Sequence, residues 1–348
     1  MTSAANTTLQ CFPIFDSRPS PAYIARWMKH IAETGRPEAF EGVSTTKPDR
    51  SARVVLLSDE ININTDIRPD RDRAPCPLCS PLSPKFGKGR MAWFRDEGTV
   101  RFIGHRCARH YFGDDYIEAD RLFKIETRCA EYLRIWPALM ERRAAIREVA
   151  GQVYAVAHGL QSTKAHFDQT APGITTFLQR DRLAHQGLVE TGTHKAAKRE
   201  QIQGFNFLSP DFEPREIAER IVRAASDLGT PLPAWVPADG ETDAAKEIMR
   251  RGHHAVSKLR LLAELRDQVE DARKFFDTEN LSTFERWASS GLSVFTKLKM
   301  RRRDNRMEID IEYYGGQHEG FFYIHSGVDG RLPTNAKIDE IGLSEILN

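Results

Sequence analysis

The sequence predicts a multidomain α+β protein, and three observations carry that prediction. Residues 114–160 and 244–276 repeat apolar side chains at three-and-four spacing, the period of helices that bury one face. From residue 293 the pattern changes to alternation, the period of strands. Between residues 76 and 110, two short pairs of Cys and His flank a strand-like reach, a pattern that points to a metal. At 348 residues, 40% of them hydrophobic, with 19 Phe and 5 Trp, the chain has material for more than one core and is too apolar to be disordered throughout.

Residues 1–66 read as a mixed N-terminal segment with one amphipathic helix over 22–34, whose Ile24, Trp27, Met28 and Ile31 share a face after Pro19 and Pro21. Val54, Val55, Leu56 and Leu57 suit a short buried strand. Residues 67–113 form the metal-bearing segment, dense in Pro and charge up to Pro84 and therefore rich in turns. Residues 114–291 form a helical region with an irregular insertion. Asp115 and Glu118 have the spacing of a capping box, so a long helix should open there. Its stripe runs through Leu122, Ile125, Cys129, Tyr132, Trp136 and Leu139, with a kink or restart at Pro137. Ile146, Val149, Val153, Val156 and Leu160 make a second seam.

A helix over 214–228 has Pro at its start and Gly229 just past its end, the usual asymmetry of helix termini. The stretch 244–276 is the expected antiparallel partner of the seam, with Leu259 and Leu262 facing Val149 and Val153 in a long helical hairpin. The seam lasts about two heptads, so a coiled coil with another chain is the alternative. Residues 292–348 read as a three-stranded β-meander. Val294 to Met300, Met307 to Tyr313 and Phe321 to Ile324 supply the strands, and Gly315-Gly316 turns the second into the third.

Cys76-Pro77-Leu78-Cys79 lets a tight turn aim two sulfurs at one ion, and Cys107-Ala108-Arg109-His110 repeats the spacing after 27 residues. Three thiolates and an imidazole suit one tetrahedral Zn²⁺, and four protein ligands make such an ion structural. His105 competes with His110 for the fourth position, and His110 completes the repeated spacing. Between the pairs, residues 91–95 and 99–103 read as strands around Asp96-Glu97-Gly98. Turn, hairpin and then a ligand pair at a helix start give residues 74–112 the order of a treble-clef zinc finger, which they resemble. That resemblance covers about a ninth of the chain and implies a zinc site without implying one function. Gly113 and the cap at Asp115 leave about one helical turn around Cys107 and His110, so a zinc ribbon is the alternative.

Lys plus Arg number 50 against 49 Asp plus Glu, so any basic site must be local. Residues 67–111 hold ten basic side chains against four acidic ones, an excess of six. Lys85, Lys88, Arg90, Arg95, Arg101, Arg106 and Arg109, with Phe86, Trp93, Phe94 and Phe102 interleaved, make a candidate surface for DNA or RNA. A second basic run, Lys297 to Arg306, faces Glu308, Asp310 and Glu312 on the next expected strand and can pair with them across the hairpin.

These features predict a non-catalytic zinc-finger protein that binds nucleic acid. The alternative is a zinc-stabilised assembly protein that engages protein partners, or itself, through the helical hairpin and the meander. Pro75-Cys76-x-x-Cys79 matches half of a zinc deaminase signature, but no upstream His-x-Glu supplies the third ligand and the proton shuttle. No phosphate-binding Gly-rich loop or nucleophile elbow is present. No apolar run approaches the ~20 residues of a membrane span, residues 1–13 lack the pattern of a signal peptide, and five cysteines are too few for a disulfide framework. The expectation is a soluble, intracellular, cytoplasmic protein with no membrane partner, in which Cys11 and Cys129 need no functional role.

Overall fold

The computed structural model describes residues 14–68, 71–171, 174–175, 187–192, 197–237, 241–290, 293, 295–313 and 316–347. Cys11, Val294 and Gly315 lie outside them. The chain divides into two compact units, Met1–Ala130 with Trp235–Ala245, and Glu131–Ala234 with Lys246–Asn348. The mixture of helices with antiparallel sheets agrees with the predicted α+β class. No helix among the described residues is long and apolar enough to cross a membrane.

The first unit opens with α1 (Pro21–Thr34). Ser20 caps it, accepting from the Tyr23 N–H at 3.2 Å, and Gly35 closes it at φ 65°. A side chain at Gly35 would stand 2.6 Å from the Asn64 carbonyl oxygen. Tyr23, Trp27 and Ile31 are the buried stripe, whereas Met28, expected on it, is exposed. The buried positions repeat every four residues, and Met28 sits one helical step (about 100°) away from Trp27.

The sheet joins the N-terminal segment to the cysteine-bearing one. β1 (Val54–Leu56) and β2 (Ile61–Asn62) both pair antiparallel with β5 (Lys88–Phe94), whose other edge pairs with β6 (Thr99–Ile103). Between them β3 (Ala74–Cys76) and β4 (Ser80–Phe86) form a separate two-stranded ladder. β5 is buried on both faces. Met91, Trp93, Val100 and Phe102 pack in a cluster with Trp27 and Ile31 of α1. Ala92, Phe94 and Ile103 pack on the opposite side with Ala108 and Phe112 of α2 (His105–Phe112) and Tyr116 of α3 (Asp114–Glu141). This second layer sets α2 over the end of β3.

Two expectations for α3 are corrected. The Glu118 carboxylate accepts from Arg121 at 2.8 and 2.9 Å and makes no capping box. The helix also runs through Pro137 and breaks at Arg142 (φ −88°, ψ 3°), after which α4 (Arg143–Thr170) begins. A proline removes one N–H, and Trp136 and Leu139, both buried, hold the helix on either side of it.

In the second unit the stripe of Ile146, Val149, Val153, Val156 and Leu160 on α4 is completely buried. Its principal partner is α5 (Pro214–Asp227), the helix delimited by Pro214 and Gly229, whose buried Ala218, Ala224 and Ala225 permit close approach. The expected partner over 244–276 is broken at Arg260–Leu261 into α6 (Asp243–Leu259) and α7 (Leu262–Arg273), and α7 packs on α4 beside α5. Gly159 lets α4 approach a 3-10 turn at Ser326–Asp329: a Cβ there would lie 2.7 Å from the Val328 nitrogen.

The remaining elements of this unit are a hairpin of β7 (Leu188–Thr191) and β8 (Lys198–Gln201), α8 (Thr278–Ala288), a three-stranded sheet and two short helices, α9 (Asn335–Ile341) and α10 (Leu343–Leu347). The sheet is the predicted meander, with β9 (Phe295–Arg303), β10 (Arg306–Tyr313) and β11 (Gly316–Tyr323) in the spatial order of the sequence. Leu298, Met300, Met307, Ile309, Ile311 and Phe322 form its buried face. On the other face the basic and acidic runs pair across strands, Lys297 with Asp310 and Arg303 with Glu308.

Candidate metal centre

Cys76 ends β3 and is fully buried, fixed in the core beside Leu78. The chain reverses over the next three residues, the Cys79 N–H donating to the Cys76 carbonyl at 3.3 Å, and leaves Cys79 exposed at the mouth of the turn. The β5–β6 hairpin then brings the chain back. Gly98 at φ 59° allows that reversal after the 3-10 turn Arg95–Glu97. Gly104 starts α2, which places Cys107 in its first turn, half-buried.

The Sγ atoms of Cys76, Cys79 and Cys107 all lie within 4.8 Å of one another, and those of Cys79 and Cys107 are 3.3 Å apart. No other group of three or more Cys, His, Asp or Glu ligand atoms reaches such spacing among the described residues. Burial, followed by the Cys79 hydrogen bond and the proximity of Cys76, pushes the Cys107 thiol up to about 12. A negative charge on Cys107 would be desolvated and would face the other two sulfurs. A thiophilic divalent cation reverses that preference, since it stabilises the thiolates it binds. The first turn of α2 adds the positive end of its dipole at Cys107. The cluster can therefore hold a metal ion through three soft ligands.

His110, the fourth ligand expected from the spacing, is exposed and outside this trio, three residues beyond Cys107 and so on the same side of α2. His105 is engaged elsewhere: its Nδ1 lies 3.2 Å from the Tyr116 hydroxyl and 3.8 Å from a Glu60 oxygen. Tyr116 and Glu60 were not singled out by the sequence reading, and no local signal marks them, because they lie 11 and 45 residues from His105.

The seven basic residues divide into two groups. Arg90 and Arg101 are buried. Arg90 pairs with Asp120, donates to the Ser58 carbonyl at 3.1 Å and covers the Phe123 ring. Arg101 donates to the Thr46 carbonyl at 2.7 Å, pairs with Glu97 at 2.5 Å and covers Phe94. These two guanidiniums serve the fold. Lys85, Lys88, Arg95, Arg106 and Arg109 are exposed, with Lys88 3.8 Å from Glu60. Phe86 is half-buried, and Trp93, Phe94 and Phe102 are core residues.

Comparison with protein-family models, with curated proteins and with solved structures finds no match, so the chemistry of this centre rests on its own residues.

Proposed function

We propose that Cys76, Cys79, Cys107 and His110 hold one structural Zn²⁺ in a treble-clef arrangement, and that the module so fixed binds DNA or RNA without catalysis. The observation that carries this reading is the composition of α2. Cys107, the ligand that tethers the helix, stands between Arg106 and Arg109, two exposed cations with no carboxylate partner among the described residues. Metal binding fixes the helix, and the helix carries the charges. Lys85, Lys88 and Arg95 add positive charge from β4, β5 and the turn after it. A complete set of four protein ligands leaves no open position for a reacting water, which makes the ion structural. His110 completes the set by turning toward Cys107, whereas His105 would have to leave Tyr116.

Metal analysis of the purified chain should return about one Zn²⁺, lost in Cys107→Ser. A shift assay over a salt series should show nucleic-acid affinity falling steeply with salt, as counterion release requires. Full zinc in Cys107→Ser refutes the metal assignment, and absence of a salt-dependent shift refutes the nucleic-acid assignment. A second reading, assembly with protein partners, is supported by Phe321 and Tyr323, which are about half exposed side by side on the edge strand β11. Self-association insensitive to salt, and no shift, would favour it.

A further inference from the structure

Charge pairing across the C-terminal sheet is incomplete at one end. Side chains two apart on a strand share a face, so the register of β9, β10 and β11 fixes which residues stand together on the face turned away from the core. Arg303, Arg306 and Tyr323 form one row across the three strands, and Arg301, Glu308 and Phe321 form the next. The two rows after those hold Lys299, Asp310 and Glu319, then Lys297, Glu312 and Gln317. The face is therefore polarised. Its first two rows carry three guanidiniums against one carboxylate, and its last two carry two ammoniums against three carboxylates. With Asp304 of the β9–β10 turn counted, the first end is still positive.

The positive end also holds the rings. Among the described residues Phe321 and Tyr323 are the only exposed Phe, Tyr or Trp side chains, at 48% and 54%, and their ring centres are 5.7 Å apart. Two large rings left side by side in water mark a contact surface. The Arg306 guanidinium covers Phe321 at 3.9 Å, and at half exposure the ring keeps open surface for a second stacking partner.

A recess of about 480 Å³ spans the three strands here, from Phe321 and Glu319 to Lys299 and Arg301. Of the carboxylates that line it, Glu308 lies 3.3 Å from Arg303 and 3.8 Å from Arg306, and Asp310 pairs with Lys297. Glu319 accepts from Gln317 at 3.0 Å. Lys299 and Arg301, both exposed, have no carboxylate partner among the described residues. An anion is thus favoured over β9, and a flat apolar group over the rings of β11. We infer that this face binds single-stranded nucleic acid, with successive bases stacked on Phe321 and Tyr323 and the phosphates over Arg301 and Arg303. Stacking on a side chain needs an unpaired base, so a duplex offers these rings nothing. None of these residues belongs to the zinc module, so either surface can be removed without the other.

The test uses the full-length Arg106→Ala/Arg109→Ala protein, in which α2 has lost its two exposed cations. Fluorescence anisotropy follows its binding of labelled oligo(dT), oligo(U) and a duplex, each of about ten nucleotides or base pairs. A single strand should bind about tenfold or more tighter than the duplex, and the tighter of the two single strands names DNA or RNA as the source. Added to this protein, the surface changes Phe321→Ser and Tyr323→Ser should each weaken single-strand binding about tenfold, whereas Tyr323→Phe, which keeps the ring, should leave it intact. Arg301→Ala should lower the slope of log affinity against log salt by about 0.7. Equal affinity for duplex and single strands overturns the inference, as do Phe321→Ser and Tyr323→Ser proteins that melt and bind like their parent. Absence of single-strand binding by the Arg106→Ala/Arg109→Ala protein also overturns it and leaves the assignment of α2 untouched. Self-association abolished by the same two ring substitutions, without single-strand binding, would give the rings to a second copy of the chain instead.

Discussion

Two regions of the molecule, one in each unit, are held together by different chemistry. In the second unit Phe167 lies edge-on to Phe207, Phe275 and Phe322 with ring centres 5.8 to 6.0 Å apart, and Phe276 and Phe284 extend the same cluster. Where β3 meets α2 in the first unit, three thiols converge instead, and the adjoining β3–β4 ladder shifts register twice in three residues. Rings packed edge to face are stable as they stand. Clustered thiols become a strong crosslink only when a cation takes their protons' place. The first arrangement responds to volume, the second to metal and pH.

Metal removal should produce the largest effect and should separate the regions most cleanly. Structural zinc sites in small modules contribute on the order of 10 kcal/mol of folding free energy. Chelation, or Cys76→Ser, should therefore loosen residues 74–112 in amide exchange while the α4–α5 packing keeps its protection. The pH dependence differs in sign between the two states. In the metal-free protein the Cys107 pKa is raised above its ordinary value to about 12, so its contribution to stability is present below pH 9 and is lost as pH rises toward 12. In the metal-loaded protein the ligands must be deprotonated, and stability should instead be lost on acidification. Melting curves of both forms from pH 5 to 11 test this. Parallel pH profiles would remove the distinction between the regions.

The next effects belong to the second unit. Val153→Asp places an unpaired charge at a site with no exposure and should cost roughly 3–5 kcal/mol in urea unfolding, with zinc content unchanged. Gly159→Ala is smaller and sharper. The added methyl would meet the Val328 nitrogen at 2.7 Å and the Gly327 carbon at 2.8 Å, both backbone atoms that cannot rotate away, so a loss of about 1–3 kcal/mol is expected. A Gly159→Ala variant as stable as the parent would show that the 3-10 turn at Ser326–Asp329 moves freely against α4.

What the sequence made legible were features set by near neighbours. Alternation from Met307 to Tyr313 located β10, Pro214 and Gly229 bracketed α5, and the repeated spacing of Cys76, Cys79 and Cys107 foretold their convergence. The pairing of Lys297 with Asp310 followed from the same two-residue period. Features set by distant neighbours were not legible. Periodicity shows that Val149 and Val153 want cover, not that α5 and α7 share the task. A charge count gives Arg90 and Arg101 the same weight as Arg106, because Asp120 and Thr46, which engage the first two, lie 30 and 55 residues away. Trp93 read as a stacking group for the same reason, since its cover comes from α1.

That division between buried and exposed arginines sets the smallest expected effect on stability and the most specific one on binding. Arg106→Ala and Arg109→Ala remove surface side chains and should each change unfolding free energy by less than about 0.5 kcal/mol. If their guanidiniums meet phosphates, each substitution should also lower the slope of log affinity against log salt by about one, uniformly across sequences. Arg101→Ala is the contrast. It strips the Thr46 carbonyl and the Glu97 carboxylate of a buried partner, so stability should fall by about 1–3 kcal/mol. At a temperature where Arg101→Ala stays folded its salt slope should match the parent, because a guanidinium already paired inside the fold releases no counterions on binding. A slope that falls for Arg101→Ala and holds for Arg106→Ala and Arg109→Ala would move the nucleic-acid surface away from α2 and deprive the proposal of its central observation.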